Sequence, residues 1–494
     1  MNLFMKPALS LFVLLLTGCN LAPKYHPPAI TLPPNYKEAP GWVAAEPSDA
    51  VARGEWWILF NDPVLNELEA RVIITNQNVA SYRAAYQAAR ALVITQRASL
   101  FPLVNLSGNR SRSIPFENRT SGSGSFVSGA GGALSASSNF MFGIGASWEP
   151  DLWGKLSNAV SQAEAGEAAS VGDLANAALS AQGELATNYI QLRGIDARRD
   201  LLDRIIHDYQ RALTIATNKY EAGTVARSDV FQAQTTLNSA IASRQDLDRQ
   251  RAVLEHAIAV LVGDNPSTFT LAPVAWNPVV PDVPATLPAT LLQRRPDIAA
   301  SERRVAAANA NIGIQRAAYF PQITLTAGVR TSTSVMEQLF KASTGLWSFG
   351  LSGVETLLDF GARRGQVLQA HAQFDQTVAT YRQTVLTAFQ QVEDNLAATQ
   401  VLADVTRSQT EAAEAASRAE AIISNQYLSG IVDYSQVVTA QTAALNTRQT
   451  QIQAVINQQA AAVALIQAIG GHWLPQLPDV KQDAGPDTEK KPWP

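Results

Sequence analysis

Few side chains in this 494-residue sequence are arranged for chemistry. The five histidines, His26, His207, His256, His371 and His472, are scattered and share no metal-ligand spacing. No nucleophile elbow and no phosphate-binding loop appears. Isolated acids within helical stretches read as solvated faces. Neither catalysis nor a metal or cofactor site is therefore expected. The reactive group that stands apart is a thiol. Cys19 is the single cysteine, so no intrachain disulfide can form. It closes an apolar run, Ala8 to Leu16, that follows the positive charge of Lys6. That run is shorter than the roughly 20 apolar residues a bilayer-spanning helix needs.

The residues around the thiol say what its chemistry is. Leu16-Thr17-Gly18-Cys19 looks like a bacterial lipobox, in which small residues admit the signal peptidase and the cysteine takes up diacylglycerol. The resemblance implies a signal peptide over 1–18, cleavage before Cys19 and a covalent lipid on its sulfur. One acyl chain holds a protein to a membrane marginally, whereas two or more hold it firmly. Asn20 follows, not the aspartate associated with inner-membrane retention, which implies the outer membrane of a Gram-negative cell. No later run of 18 uninterrupted apolar residues occurs, so no transmembrane helix is expected. The balance of 38 basic against 42 acidic residues gives no sign of a nucleic-acid partner.

The elements that follow the anchor repeat. Residues 19–55 are proline-rich, with Pro27-Pro28 and Pro33-Pro34, and should be extended. Then come ordered internal matches. Arg97-Ala98-Ser99-Leu100-Phe101-Pro102 corresponds to Arg316-Ala317-Ala318-Tyr319-Phe320-Pro321, and Trp153-Gly154 to Phe360-Gly361. Asn218-Lys219-Tyr220-Glu221-Ala222-Gly223 corresponds to Asn425-Gln426-Tyr427-Leu428-Ser429-Gly430. Each copy reads helix, strand, loop, strand, long helix, turn, long helix. The first copy covers 56–264, with strands near 102–110 and 139–149. A proline-rich linker, 265–296, leads to the second copy, 297–471, with strands near 322–331 and 346–355. The tail 472–494 should be disordered.

The strands alternate apolar with small or polar residues, as in Phe140, Phe142, Ile144, Ala146 and Trp148. A soluble sandwich would show the same alternation. Three features favour a membrane barrel. Four strands serve nearly 500 residues, they come as two widely separated hairpins, and aromatics gather near their ends (Phe101, Phe140, Trp148, Phe320, Trp347). Four strands cannot close a membrane barrel, whose known minimum is about eight, so the barrel must be shared between chains. Gln366 to Ser429 contains no glycine or proline and would form a helix about 95 Å long. Lys155 to Tyr220 is its counterpart, broken only by isolated glycines. The return helices, Ser228 to Val262 and Tyr434 to Ile469, would be about 50–55 Å. Helices near Asn78 to Leu100 and Asp297 to Ala318 would supply the missing length. Helices this long need partners throughout. A shared barrel continuing into a shared helical cylinder is a conduit.

Over essentially the whole mature chain the sequence resembles the TolC/OprM-like outer-membrane factor family, in its lipoprotein branch (the NodT-type outer-membrane component of RND efflux). The resemblance is carried by Trp56-Trp57 with Phe60, Asp62-Pro63 and Leu65, and by Trp148-Glu149-Pro150-Asp151-Leu152-Trp153-Gly154. Arg294-Arg295-Pro296-Asp297-Ile298, Ala307-Ala308-Asn309-Ala310 with Ile312-Gly313, and Tyr319-Phe320-Pro321 complete it. It implies a mainly α homotrimer, a twelve-stranded β-barrel in the outer membrane and a periplasmic α-helical barrel. It also implies two partners: a periplasmic adaptor and an inner-membrane pump of the RND type. Such a channel carries small molecules passively, and its control point is the helical tip. Candidate tip residues are Tyr220, Glu221, Gly223, Arg227 and Asp229 in the first copy and Tyr427, Gly430, Asp433 and Tyr434 in the second. Rings of carboxylates there would favour cations. Ser228-Asp229 and Asp433 also sit where a helix start wants them. Many relatives carry a charge two residues after the glycine of the second copy, whereas this chain has Val432. The same architecture would serve as a duct for type I protein secretion, and a structural coiled-coil lipoprotein would need the helices but not the strands.

Overall fold

A computed structural model describes residues 20–30, 36–38, 55–113, 137–281, 283 and 295–471. The signal segment 1–18, Cys19, most of 31–54, the linker residues 284–294 (Arg294 among them) and the tail 472–494 lie outside the described residues. The chain divides into two compact units. Seven helices of ten or more residues are described. These are α1 (Pro63–Thr75), α2 (Gln77–Ala98), α3 (Lys155–Glu221), α4 (Arg227–Leu261), α5 (Pro296–Ala317), α6 (Ala362–Leu428) and α7 (Tyr434–Ala468). The duplication shows in their lengths. Helices α3 and α6 each have 67 residues, α4 and α7 each 35, and α2 and α5 each 22. At 1.5 Å per residue the longest pair would each measure about 100 Å.

The first unit comprises residues 1–27, 88–167 and 303–378. It holds one antiparallel sheet in the order β1-β2-β3-β4: β1 (Leu103–Ser113), β2 (Ser137–Trp148), β3 (Gln322–Thr333) and β4 (Gly345–Val354). The two hairpins thus join through β2 and β3. The first strand is longer than the stretch near 102–110 that the sequence suggests. It runs to Ser113, because every residue of β1 finds a partner on β2 from Leu103↔Ser147 to Ser113↔Ser137. Between β3 and β4 the chain forms two short 3-10 turns, Met336–Gln338 and Ala342–Thr344. Residues just after Cys19 belong to this unit. Asn309 on α5 donates its side-chain amide to the Pro23 carbonyl at 2.8 Å, and a Cβ at Gly313 would meet the Ala22 side chain at 2.7 Å.

The second unit comprises residues 28–87, 168–302 and 379–494. A 3-10 turn over Trp56–Phe60 buries Trp56, Trp57 and Phe60, with Trp56 edge-on to both other rings. Asp62 then starts α1. Its carboxylate accepts from the Val64 and Leu65 amides, Pro63 fills the first helical position, and the Tyr189 hydroxyl donates to its other oxygen at 2.7 Å. The Arg295-Pro296-Asp297-Ile298 motif proves to be a lock. Arg295 forks onto Asp297 at 2.7 and 3.0 Å, and also donates to Gln391 and to the Ala468 carbonyl. Pro296 opens α5 and Ile298 is buried. The described part of the linker is held by buried charge. Arg193 donates to the Ala272 carbonyl, Glu255 accepts from the Leu271 amide, and Asp196 bridges Arg193 and Arg251.

The glycines inside α3 mark close approaches. A Cβ on Gly172 would lie 2.7 Å from the Pro296 carbonyl oxygen, whereas one on Gly166 would meet nothing within 4 Å. Gly172→Ala must displace backbone and should cost about 1–3 kcal/mol by overpacking. Gly166→Ala should be neutral or stabilise by up to about 1 kcal/mol through helix propensity. Thermal unfolding of the two variants measures the contrast. Glu69 on α1 offers a second test. It is 0 % exposed, both its carboxylate oxygens are buried without a partner, and burial pushes its carboxyl up to about 9. The folded chain therefore keeps a proton that the unfolded chain loses above about 4.5. This acid's contribution to stability is full below that value and falls as pH rises towards 9. Glu69→Gln should leave the melting midpoint near wild type at pH 5 and raise it increasingly towards pH 9; parallel pH profiles would refute this.

Candidate functional site

Two places carry features that a helical scaffold does not require. The first is the sheet. Its register sets Leu106, Ile144, Val329 and Trp347 side by side across all four strands on one face, with Val104, Ala146, Ala327 and Phe349 in the next row. The opposite face carries Asn105, Gly145, Gly328 and Ser348 in one row. Phe340 packs edge-on to Phe142 at one end of this face, with ring centroids 5.6 Å apart, and the two apolar rows themselves stay open. Trp347 is 80 % exposed, and Leu106, Ile144, Val329, Phe349 and Leu351 are all exposed. A contiguous apolar surface of this kind marks a partner or a membrane. Among the described residues no helix is long and apolar enough to cross a membrane. The strands themselves are the apolar surface.

One end of the sheet carries an aromatic collar. Trp148 donates its indole N–H to the Leu100 carbonyl at 2.9 Å, and Trp153 donates to the Pro321 carbonyl at 2.8 Å. Trp153 stacks on Phe320 with ring centroids 4.7 Å apart. The Arg363 guanidinium stands over Tyr319 and pairs with Glu355 and Asp359, which holds the Asp359 carboxyl at about 2. Amphipathic rings in this position match the girdle that interfacial water and headgroups favour.

The second place is the pair of turns between the long helices and their return helices. Gly223 at φ +72° and Gly430 at φ +75° end α3 and α6 in the left-handed conformation. Each turn closes with the same pair of bonds. The Gly223 amide donates to the Tyr220 carbonyl and the Thr224 amide to the Lys219 carbonyl. The Gly430 amide donates to the Tyr427 carbonyl and the Ile431 amide to the Gln426 carbonyl. This is the Schellman ending, and it explains why glycine closes both sequence matches.

The ten tip residues named from the sequence do not share one environment. Tyr220, Glu221, Gly223, Arg227, Gly430 and Asp433 are exposed or nearly so, and Asp229 and Val432 lie beside them in the same turns. Tyr427 and Tyr434 are buried, the latter 2 % exposed, and form the centre of a core with Ala216, Ala233 and Val437. Their rings lie 5.3 Å apart. Burial pushes the Tyr434 phenol up to about 12, with Tyr427 and Asp229 adding to the effect. Val432 packs against this core, as a residue at a charged site would not. The first return helix starts at Arg227 with Ala226 as its N-cap, so Ser228 and Asp229 stand inside the first turn and are not the cap. Asp433 does occupy the N-cap of α7, but its side chain makes no capping hydrogen bond. That leaves its carboxylate free of the local role the sequence also allowed. Sequence reasoning passed over Lys219. Its ammonium donates to the Tyr427 carbonyl at 3.1 Å and stands 4.1 Å above that ring, tying the two turns together. The signal was there, since Lys219 aligns with the uncharged Gln426.

Comparison with known proteins places these features. A family model described as outer membrane efflux protein matches residues 70–264 and 287–471, the two copies in turn. The toluene efflux pump outer membrane protein TtgI of Pseudomonas putida is 31% identical over 477 residues, covering 93% of this chain and 97% of its own. The cation efflux system protein CusC of Escherichia coli is 28% identical over 468 residues, covering 93% and 97%. The solved outer-membrane channel OprN superposes with a TM-score of 0.83 at 25% identity, over 92% of this chain and 99% of that one.

The tip geometry separates two roles that alanine scanning alone would confuse. Tyr434→Ala empties part of a core shared by both turns, at a cost of about 3–5 kcal/mol, and should raise single-channel conductance in planar bilayers. Tyr434→Phe keeps the ring and should leave conductance unchanged. Asp433→Ala should raise conductance without loss of stability. Unchanged conductance in Asp433→Ala would remove that carboxylate from the gate.

Proposed function

Since the chain belongs to the outer membrane efflux protein family, we propose that it is the outer-membrane channel of a tripartite efflux system. In this reading it is a passive conduit that takes small molecules from a periplasmic adaptor and an inner-membrane RND-type pump to the exterior. The observation that carries the reading is the exposed apolar face of the four-stranded sheet, bordered by aromatics at one end. In hydrocarbon every backbone polar group must be paired within protein, so strands span a membrane only as closed barrels. Strands β1 and β4 are each paired on one side within the chain. Three chains supply twelve strands, and the long helices of three chains wall the periplasmic path beyond them.

The work of transport is done by the pump. The channel supplies a wet passage and a closure at its tip, where Glu221, Asp229 and Asp433 would make carboxylate rings that favour cations. It catalyses no reaction and needs no cofactor beyond the lipid on Cys19. The contacts of Ala22 and Pro23 with α5 support that anchor. They hold the chain a few residues after Cys19 within the unit that contains the sheet.

Expression together with an adaptor and an RND-type pump, in a host lacking its own outer-membrane channel, should restore export of a fluorescent dye. Omitting the pump should abolish export. Dye export without any pump, or none with all three components present in the envelope, would contradict the reading. Metabolic labelling with palmitate should mark the wild type and not Cys19→Ala.

A further inference from the structure

The end of the sheet away from the aromatic collar carries all the charge in the strands. The four strands hold no aspartate, glutamate, lysine or histidine, and their arginines are Arg110, Arg112 and Arg330. The register sorts these by face. Arg110 stands opposite Phe140 and Arg112 opposite Ser138, so both continue the alternation of Val104 and Leu106 on the apolar face. Arg330 follows Val329 by one residue and stands on the other face. Arg110 and Arg112 are exposed along their edge of the sheet. The Arg110 guanidinium lies over the Phe140 ring, 5.4 Å from its centroid, and among the described residues neither arginine forms an ion pair.

The same register sets their height. Phe140, opposite Arg110, is eight residues from Trp148 of the collar, and Ser138, opposite Arg112, is ten. At about 3.4 Å per residue these are about 27 and 34 Å along the strand, or about 21 and 26 Å along the membrane normal at the roughly 40° tilt of membrane strands. The apolar band of such barrels is about 25 Å tall. With the collar at one interface, the two arginines stand at the other. Helices α2 and α5 reach the sheet, and α3 and α6 leave it, at the collar end. The arginine end is therefore the one that points away from the helices.

We infer that Arg110 and Arg112 are a docking surface for the phosphate groups of outer-leaflet lipid. The inference rests on the proposed channel, which puts the apolar face in the membrane and the arginine end outside. The outer leaflet of a Gram-negative outer membrane is built of a phosphorylated glycolipid, and a guanidinium fork matches phosphate oxygens in pairs. A cation that faces lipid is costly at mid-membrane and nearly free of cost at the interface, which is where these two stand. The Phe140 ring holds the Arg110 guanidinium by its π face. Below the charges, Phe142, Ile144 and Leu106 continue the same face and meet the acyl chains. Headgroup and chains of one lipid thus find a cationic and an apolar surface in the order in which they lie. Arg330, on the other face, reaches no lipid.

Lipid binding to the detergent-purified full chain tests this. The wild type should bind diphosphorylated lipid A in preference to phosphatidylethanolamine, whose headgroup has no net charge. Arg110→Gln/Arg112→Gln should weaken the binding of diphosphorylated lipid A about tenfold or more. Arg330→Gln removes the same charge from the other face and should bind as the wild type does. Inorganic phosphate at the same concentration should leave the lipid in place. Equal binding of the two lipids by the wild type would overturn the inference, and this comparison decides even if the double variant fails to assemble. So would an unchanged double variant, an equal loss in Arg330→Gln, or displacement of the lipid by inorganic phosphate. The channel reading is tested apart from this, in bilayers of brominated phosphatidylcholine. Trp347 fluorescence, taken as the difference from Trp347→Phe, should be quenched there. An unquenched Trp347 would overturn the membrane position of the sheet; a quenched Trp347 with lipid A binding unchanged in the double variant would overturn the docking surface alone.

Discussion

The constraint on which everything else depends is the backbone at the two edges of a four-stranded sheet. A strand in hydrocarbon has no water to satisfy its free N–H and C=O groups, and each unpaired group costs several kcal/mol. This chain builds a sheet whose one face is fit for lipid and then stops at four strands. The sheet is stable in a membrane only when something pairs with β1 and β4. The mismatch is therefore the instruction to assemble. An edge strand left open is otherwise a template for aggregation.

The helical part obeys a different rule. Small side chains let long helices run close together, and Gly172, Gly183 and Gly194 in α3 sit where a neighbour leaves no room for a Cβ. Several buried charges within this packing are paired, whereas Glu69 is buried without a partner. Arg295 with Asp297, and Arg193 and Arg251 with Asp196, fasten extended segments to helices. Such pairs set a unique arrangement more than they add stability, since desolvation offsets most of their attraction. The tip shows both rules together. Apolar packing of Tyr427 and Tyr434 makes the turns one body, and the Glu221 and Asp433 side chains near it remain exposed.

Much of this was legible in the sequence because it is written as pattern. Alternation marked β2, β3 and β4. The absence of proline and glycine marked α6, and the repeated Asn-x-Tyr-x-x-Gly marked both tip turns. Less was legible where identity depends on three-dimensional neighbours. Ala226 gives no capping signature, so the start of α4 was misplaced by the better-looking Ser228. Tyr427 and Tyr434 look like Tyr220 in sequence, yet only Tyr220 is exposed. Nothing in the sequence around Arg295 shows its task, which depends on groups distant in the chain: its guanidinium reaches Gln391 and the end of α7 as well as Asp297. The number of chains in the assembly is a property of the edges between copies, and no single chain encodes it as pattern.

The most direct measurement is amide hydrogen exchange on the detergent-purified particle, resolved to the four strands. If β1 and β4 close a shared barrel, their edge amides should exchange as slowly as those of β2 and β3, which are paired on both sides within the chain. Fast exchange confined to β1 and β4, with β2 and β3 protected, would mean that the sheet ends where the chain does, and would contradict the account.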